Sequence, residues 1–185
     1  MIAGSRVALR AWEPEDNRSY WAWLSDPEVL KMFDASVDQI PLAFLEQRYR
    51  ERAFSPDFRA YGVVLLPQEL IGWARWTRVR EFGVYDVGLL IGRPDLWGKG
   101  YGREALDLLL ALLFDGQAAH KVQATTFEFN RRSLRLFQSA GFQVEGESRD
   151  DVYVDGRFWK TIRLGLLRGE YAGRRGEARG GGGCG

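Results

Sequence analysis

Between Arg6 and Arg10 apolar and polar residues alternate, the period-two pattern of a half-buried strand. Glu13-Pro14-Glu15-Asp16 then predicts a helix start, with proline and acids in its first turn. Tyr20, Trp21, Trp23 and Leu24 supply the apolar stripe of that helix. Asp26-Pro27 opens a short second helix towards Phe33, and Leu42, Leu45 and Tyr49 mark the inner face of a third, from about Gln39 to Ala53. Two strands are expected next, Ala60 to Leu66 and Leu70 to Arg78, joined by a turn at Pro67-Gln68-Glu69. Val84 to Ile91 reads as a further strand, Arg103 to Phe114 as a strongly apolar helix, and Val122 to Phe127 as a buried strand. A helix beginning at Asn130 ends at Gly141, where glycine commonly stops helices. Phe142 to Tyr153 and Arg157 to Leu167 form a hairpin through Asp155-Gly156.

Strands and helices alternate in the middle of the chain and a hairpin closes it. This order predicts a mixed α+β sheet of about seven strands, not a doubly wound one. Residues 1–168 form one domain in this reading. From Gly169 to Gly185 apolar periodicity is lost and the chain runs into GGGGCG, which reads as a flexible Gly/Arg-rich tail.

Composition narrows the function classes. The formal net charge is +1, so no basic excess points to nucleic acid and no acidic run to a basic partner. Lys31, Lys99, Lys121 and Lys160 are the only lysines; the remaining basic side chains, His120 apart, are arginines. The single cysteine, Cys184, excludes an intrachain disulfide and fits a reducing compartment. The stretch Leu106 to Phe114 contains Asp107 and is too short to cross a bilayer, and MIAGSRVALRAW lacks a signal-peptide core. A cytoplasmic protein without membrane or nucleic-acid partners is the expectation.

Trp97-Gly98-Lys99-Gly100-Tyr101-Gly102-Arg103 lies between a strand and a helix. Glycines admit positive φ and close approach of a ligand, and a helix start directs unpaired N–H groups and a positive dipole end at it. A pyrophosphate suits such a place. The P-loop pattern fails, because Gly100 follows Lys99 where serine or threonine is required. The dinucleotide fingerprint fails, because Arg103 occupies the position of its third glycine. Gly100 and Gly102 do match the acetyltransferase loop (Gln/Arg)-x-x-Gly-x-(Gly/Ala), although Trp97 replaces its first residue. A tight strand–helix turn without a ligand is the alternative reading of the loop taken alone.

A second motif follows one strand later: Asn130, Ser133, Phe137 and Ala140-Gly141-Phe142 resemble the GNAT signature N-x-x-S-x-x-x-(Y/F)-x-x-x-G-F. The run W-G-K-G-Y-G-R-E-A resembles the ribosomal-protein N-terminal acetyltransferase (RimJ/RimL-type) branch of that superfamily. Val7 to Val29, Leu70-Ile71-Gly72, Asp86-Val87-Gly88 and Asp155 to Trp159 extend the likeness to about Ser5–Leu167. The resemblance implies the GNAT fold: a mostly antiparallel sheet splayed in its middle and flanked by helices. It also implies an N-acetyltransferase that uses acetyl-CoA as co-substrate and needs no metal.

By the same resemblance, the pantetheine arm lies along Leu89, Leu90 and Ile91, with a backbone N–H near Leu90 or Ile91 polarising the thioester. The pyrophosphate rests on Trp97, Gly98, Lys99, Gly100, Tyr101, Gly102 and Arg103. Asn130, Ser133 and Phe137 complete the cofactor site. Acetyl transfer needs a base for the amine and an acid for the leaving thiolate. Asp86, Glu128 and Asp150, with neighbouring Asp151, are the candidate bases; each could equally be a solvated strand-end or loop acid. Relatives often carry a tyrosine where Phe137 stands, so Ser133 or water is the candidate acid, with helix capping as its bland alternative. His120 is read as structural or exposed. Trp12, Trp21, Trp23, Phe33, Trp73, Trp76 and Trp159 are core residues in part, and some of them would line the acceptor groove. The implied acceptor is a protein N-terminal amine, with an antibiotic, polyamine or other small amine as alternatives. A non-catalytic acyl-CoA sensor is the competing class, and the assembly is a monomer or homodimer.

Overall fold

The computed structural model describes residues 1–34 and 40–180, with side chains as far as Arg174. Gln39, at the expected start of the third helix, and Cys184 lie outside the described residues.

Among the described residues eight strands form one sheet: β1 (Ile2–Ala3), β2 (Val7–Ala11), β3 (Phe58–Leu65), β4 (Glu69–Arg80), β5 (Val84–Ile91), β6 (Lys121–Phe127), β7 (Gln143–Val154) and β8 (Arg157–Leu167). Their order is β1-β2-β3-β4-β5-β6-β8-β7. The strand beyond the expected set is β1, two residues paired with β2 and too short to carry a period. The helices are α1 (Asp16–Leu24), α2 (Pro27–Asp34), α3 (Leu42–Ala53), α4 (Tyr101–Ala111), α5 (Arg131–Ser139) and α6 (Arg168–Gly180).

All pairings are antiparallel except that of β5 with β6. A parallel pair needs a crossover, which α4 provides. The parallel contact covers only Val84–Asp86 against Lys121–Gln123. Beyond it β6 stays paired with β8 from Lys121↔Leu167 to Phe127↔Thr161. From Val87 onwards β5 therefore has no strand on that side, and the sheet splays open.

Alternation along the central strands sends side chains to opposite faces. On one face Leu106, Leu109, Leu110 and Leu113 of the α4 region are fully buried against Val7, Leu9, Val63, Val122, Leu164 and Leu166. Their i, i+3, i+4, i+7 spacing is the reason this segment is helical and buried. The last turn, Leu112–Gly116, widens to π-helix before the chain enters β6. On the other face Leu24, Val29, Leu30 and Leu45 from α1, α2 and α3 pack with Leu90, Trp73 and Trp23. Asp16 is buried and joined by two bonds to Arg10, at 2.6 and 2.7 Å, so α1 is fastened to β2 by a charge-assisted clamp. At the far end, Asp155 and Gly156 both take positive φ, 52° and 79°, the primed turn expected of Asp-Gly.

Of the tail read as flexible from Gly169 to Gly185, the part up to Gly180 is helical in α6 (Arg168–Gly180), and residues 181–185 lie outside the described residues. Tyr171 stacks on Phe114 with ring centroids 4.5 Å apart, and Arg174 donates to the Ser139 carbonyl at 2.6 Å. Arg168 donates to the carbonyls of Ala119 and Phe114. One aromatic anchor and guanidinium bonds to backbone dock this segment, a mechanism that leaves no apolar period in the sequence.

Candidate functional site

The glycine-rich loop leaves β5 through a single turn at Pro94–Leu96 and enters α4. Gly98 and Gly100 have φ of +76° and +87°, a backbone that other residues adopt only with strain. Gly100 is the N-cap of α4 and no side chain caps the helix, so the first-turn N–H groups of Tyr101, Gly102 and Arg103 are left for a ligand. Two left-handed glycines ahead of a helix N-terminus make an anion-binding concavity. Trp97 does not copy the Gln or Arg of the loop pattern; its indole N–H closes the end of β5 by donating to the Ile91 carbonyl at 2.7 Å. Arg132 lies over its ring at 3.7 Å.

The rear of the loop is braced by Glu104. Its carboxylate accepts from the backbone N–H of Arg6 at 2.7 Å and of Val7 at 3.2 Å, from the Arg6 guanidinium, and from the Ser5 hydroxyl. Burial pushes this carboxyl up, but the N–H bonds from Arg6 and Val7, with the Arg6 and Ser5 side chains, outweigh burial and hold it at about 2. Arg6 also donates to the Lys99 carbonyl at 3.0 Å and covers the Tyr101 ring.

From the loop a cleft of about 770 Å³ runs through the splay. Its walls include Leu89, Leu90 and Ile91 of β5, Gly98, Gly100, Gly102 and Arg103 of the loop, and Asn130, Ser133 and Phe137 at α5. Asn130 caps α5 by accepting from the Ser133 N–H at 3.0 Å and donates to the Met32 carbonyl at 2.8 Å, tying α5 to α2. Phe137 is buried against Phe142, edge to face at 5.1 Å. Lys99 and Tyr101 fall outside the lining.

The three proposed acids separate. Asp86 lines the cleft, but its carboxylate is held by Arg75 at 2.7 Å, and Arg75 also donates to the Asp86 carbonyl. Glu128 lies beyond the end of β6, its N–H bonded to the Lys160 carbonyl, outside the cleft. Asp150 sits in an irregularity between Ser148 and Val152 of the edge strand β7, exposed, with φ of +48°. Bulges re-aim side chains, and this one keeps Asp150 on the outer surface.

Past the splay the cleft opens into a chamber between α1, α2, α3 and β4. Tyr20 lies 5.3 Å from Trp73 and 6.0 Å from both Phe33 and Trp12, and Phe33 meets Trp73 edge to face at 5.6 Å. Burial, and then Asp34, push the Tyr20 phenol far above its ordinary range, so it remains protonated as a donor. Arg48, Arg52 and Arg75 also face the cleft. Among the described residues no group of three or more histidine, cysteine, aspartate or glutamate side chains could hold a metal ion.

The Acetyltransferase (GNAT) domain profile matches residues 6–143, which include the loop, the splay and the start of α5. The chain belongs to the GNAT acetyltransferase family. As a GNAT protein it is an acyl-CoA-dependent N-acetyltransferase. The uncharacterized N-acetyltransferase p20 of Bacillus licheniformis is 28% identical over 172 residues, 91% of this chain and 96% of that protein. Aminoglycoside N(6')-acetyltransferase type 1 of Klebsiella pneumoniae is 23% identical over 76% of this chain and 75% of its own. Among solved structures, spermidine N-acetyltransferase from Vibrio cholerae, in complex with CoA and spermine, superposes with a TM-score of 0.82 at 21% identity, covering 91% and 99% of the two chains. That likeness is one of fold.

Sequence reasoning missed several residues of this GNAT site. Arg75, Arg48 and Arg52 carry no local motif, and only the fold brings them to the cleft. The Glu104 brace and the Asn130 bond to Met32 each span about a hundred residues of chain. Glu104 alone had a signal, as the acid of the W-G-K-G-Y-G-R-E-A run.

Proposed function

We propose that this acetyltransferase moves the acetyl group of acetyl-CoA onto the α-amine of a protein N-terminus. The observation that carries the reading is the continuity of one cleft from the anion-binding loop, past the unpartnered side of β5, into the aromatic chamber. The pyrophosphate rests on the N–H groups of Gly98 to Arg103, and the pantetheine arm pairs with β5 along Leu89–Ile91 as an added strand would. The acceptor enters from the chamber, where Tyr20, Phe33 and Trp73 receive its apolar part.

The amine nitrogen attacks the thioester carbonyl carbon, and a β5 backbone N–H near Leu90 or Ile91 stabilises the oxyanion. Collapse of the tetrahedral intermediate breaks the C–S bond. Ser133, which lines the cleft, supplies its hydroxyl proton to the departing thiolate. The proton lost by the amine passes through water to Asp86, the one sequence-proposed base on the cleft wall. Arg75 positions that carboxylate.

The test is an acceptor panel with acetyl-CoA, following free thiol release. Peptide α-amines are expected to support turnover above the hydrolytic background. Turnover confined to polyamines or aminoglycosides would overturn the choice of acceptor.

A further inference from the structure

We infer that the acceptor carries a carboxylate near its amine, and that Arg48 and Arg52 receive it. The inference rests on the acetyl-transfer reading above and adds a substrate class to it.

Arg48 and Arg52 lie four residues apart on α3, one helical turn, and so share a face. Both line the cleft together with Tyr20, Phe33 and Trp73. Arg75 faces the same space from β4, but Asp86 holds it at 2.7 Å. Arg48 and Arg52 have no carboxylate within ion-pair distance among the described residues. Their guanidinium groups rest on apolar rings instead, Arg48 over Phe44 and Arg52 over Phe58, each at 5.6 Å. The Arg52 guanidinium lies below its ordinary range, first through burial and then through the like charges of Arg48 and Arg75, with Glu51 opposing. An anion between the two arginines would relieve that repulsion and accept fork-shaped hydrogen bonds.

The acids of the chamber are placed elsewhere. Asp86 is on β5 and Asp34 ends α2, while both arginines are on α3. A carboxylate on the arginine side, with an apolar body against the aromatic rings, matches this placement. Polyamines and aminoglycosides carry several cations and no anion, and would place positive charge beside Arg48 and Arg52. The carboxylate could belong to a free amino acid or to an acidic side chain next to a peptide α-amine.

Two matched pairs and one polycation distinguish these cases. The peptide Ala-Glu-Leu-amide is compared with Ala-Gln-Leu-amide, and leucine with leucinamide, with spermidine as the fifth amine. At least one carboxylate-bearing member is expected to exceed its uncharged partner by about fivefold or more in kcat/KM, and the responding pair identifies the source. Arg48→Gln/Arg52→Gln should collapse that ratio towards one. Arg50→Gln, some 200° round the helix from both, should preserve it. Thermal melting of each variant verifies its fold, and Arg52→Lys, which keeps the charge, should restore part of the preference. Turnover with ratios under fivefold in both pairs, a preference for spermidine, or a ratio that survives the double substitution would overturn the inference and leave acetyl transfer standing. Thiol release with none of the five amines would overturn the proposed peptide α-amine acceptor and this inference with it.

Discussion

Glu104 is the electrostatic brace behind the glycine-rich loop. Its carboxyl, ordinarily near 4.5, is held at about 2 despite burial, because Arg6 and Val7 donate backbone N–H bonds to the charged form. A depressed carboxyl contributes stability above its unfolded value and loses it as pH falls towards the folded one. The shift corresponds to roughly 3 kcal/mol at neutral pH. Glu104→Gln is therefore expected to lower Tm at pH 7, and the difference from wild type should shrink between about pH 4.5 and pH 2. Melting curves across that range measure it; a constant difference would remove the electrostatic explanation. Gly100 and Gly102 offer a sharper contrast. A Cβ at Gly100 would stand 3.0 Å from the Arg6 guanidinium on a left-handed backbone, whereas one at Gly102 meets nothing closer than 3.6 Å. Gly100→Val should cost both stability and acetyl-CoA affinity. Gly102→Val should fold and weaken binding about tenfold, about 1.4 kcal/mol, by obstructing the ligand's approach. Calorimetric titration of both variants separates the effects. Ser133→Ala should lower kcat about tenfold or more with little change in KM for acetyl-CoA, since its hydroxyl is the proposed proton donor to the departing thiolate. Unchanged kcat would leave Ser133 only its backbone role in the α5 cap.

At the scale of elements, α6 and α4 differ in how they hold their places. Four leucines at helical spacing bury α4, so its position follows from area alone. Tyr171 is the aromatic anchor of α6, aided by Arg168 and Arg174 on backbone carbonyls. A chain ending at Leu167 should lose about 2–3 kcal/mol, the value of one buried, stacked aromatic. A chain ending at Arg174 should keep the full-length Tm. Equal melting temperatures for all three chains would show that α6 contributes nothing. The same comparison explains why one helix was legible and the other was not. Periodicity reports area-driven burial, and a single ring with hydrogen bonds to backbone produces none.

For the whole molecule, the decisive feature is the weak centre of the sheet. Among the described residues, strand pairing between the two halves is limited to the three-residue parallel contact of β5 with β6, and α4 bridges them behind. A ligand that pairs with β5 and touches α5 ties the halves together and binds the folded state alone. At a hundredfold excess over Kd, acetyl-CoA should add about 2.7 kcal/mol, raising Tm by roughly 5–10 °C. Scanning calorimetry with and without acetyl-CoA measures the shift, and Gly102→Val should reduce it. A shift of the same size in Gly102→Val would place the ligand away from the loop.

Local pattern determined much of this protein. Apolar pattern and turn signals located β2 through β8, the Asn130 cap and Gly141 bounded α5, and Asp155-Gly156 set the hairpin turn, because each depends only on local sequence or on the φ that a residue allows. The glycines of the loop were legible for the same reason: positive φ is a demand made on one residue. Tertiary structure decided which charges meet. Asp86 became the partner of Arg75, Asp150 was turned outward by a bulge, Glu104 closed on Arg6 ninety-eight residues away, and Arg48 and Arg52 were brought to the cleft. A charged side chain in sequence has no preferred partner. It acquires one only when packing of the apolar face fixes how strands and helices lie, and that packing is a property of the folded chain rather than of any segment in it.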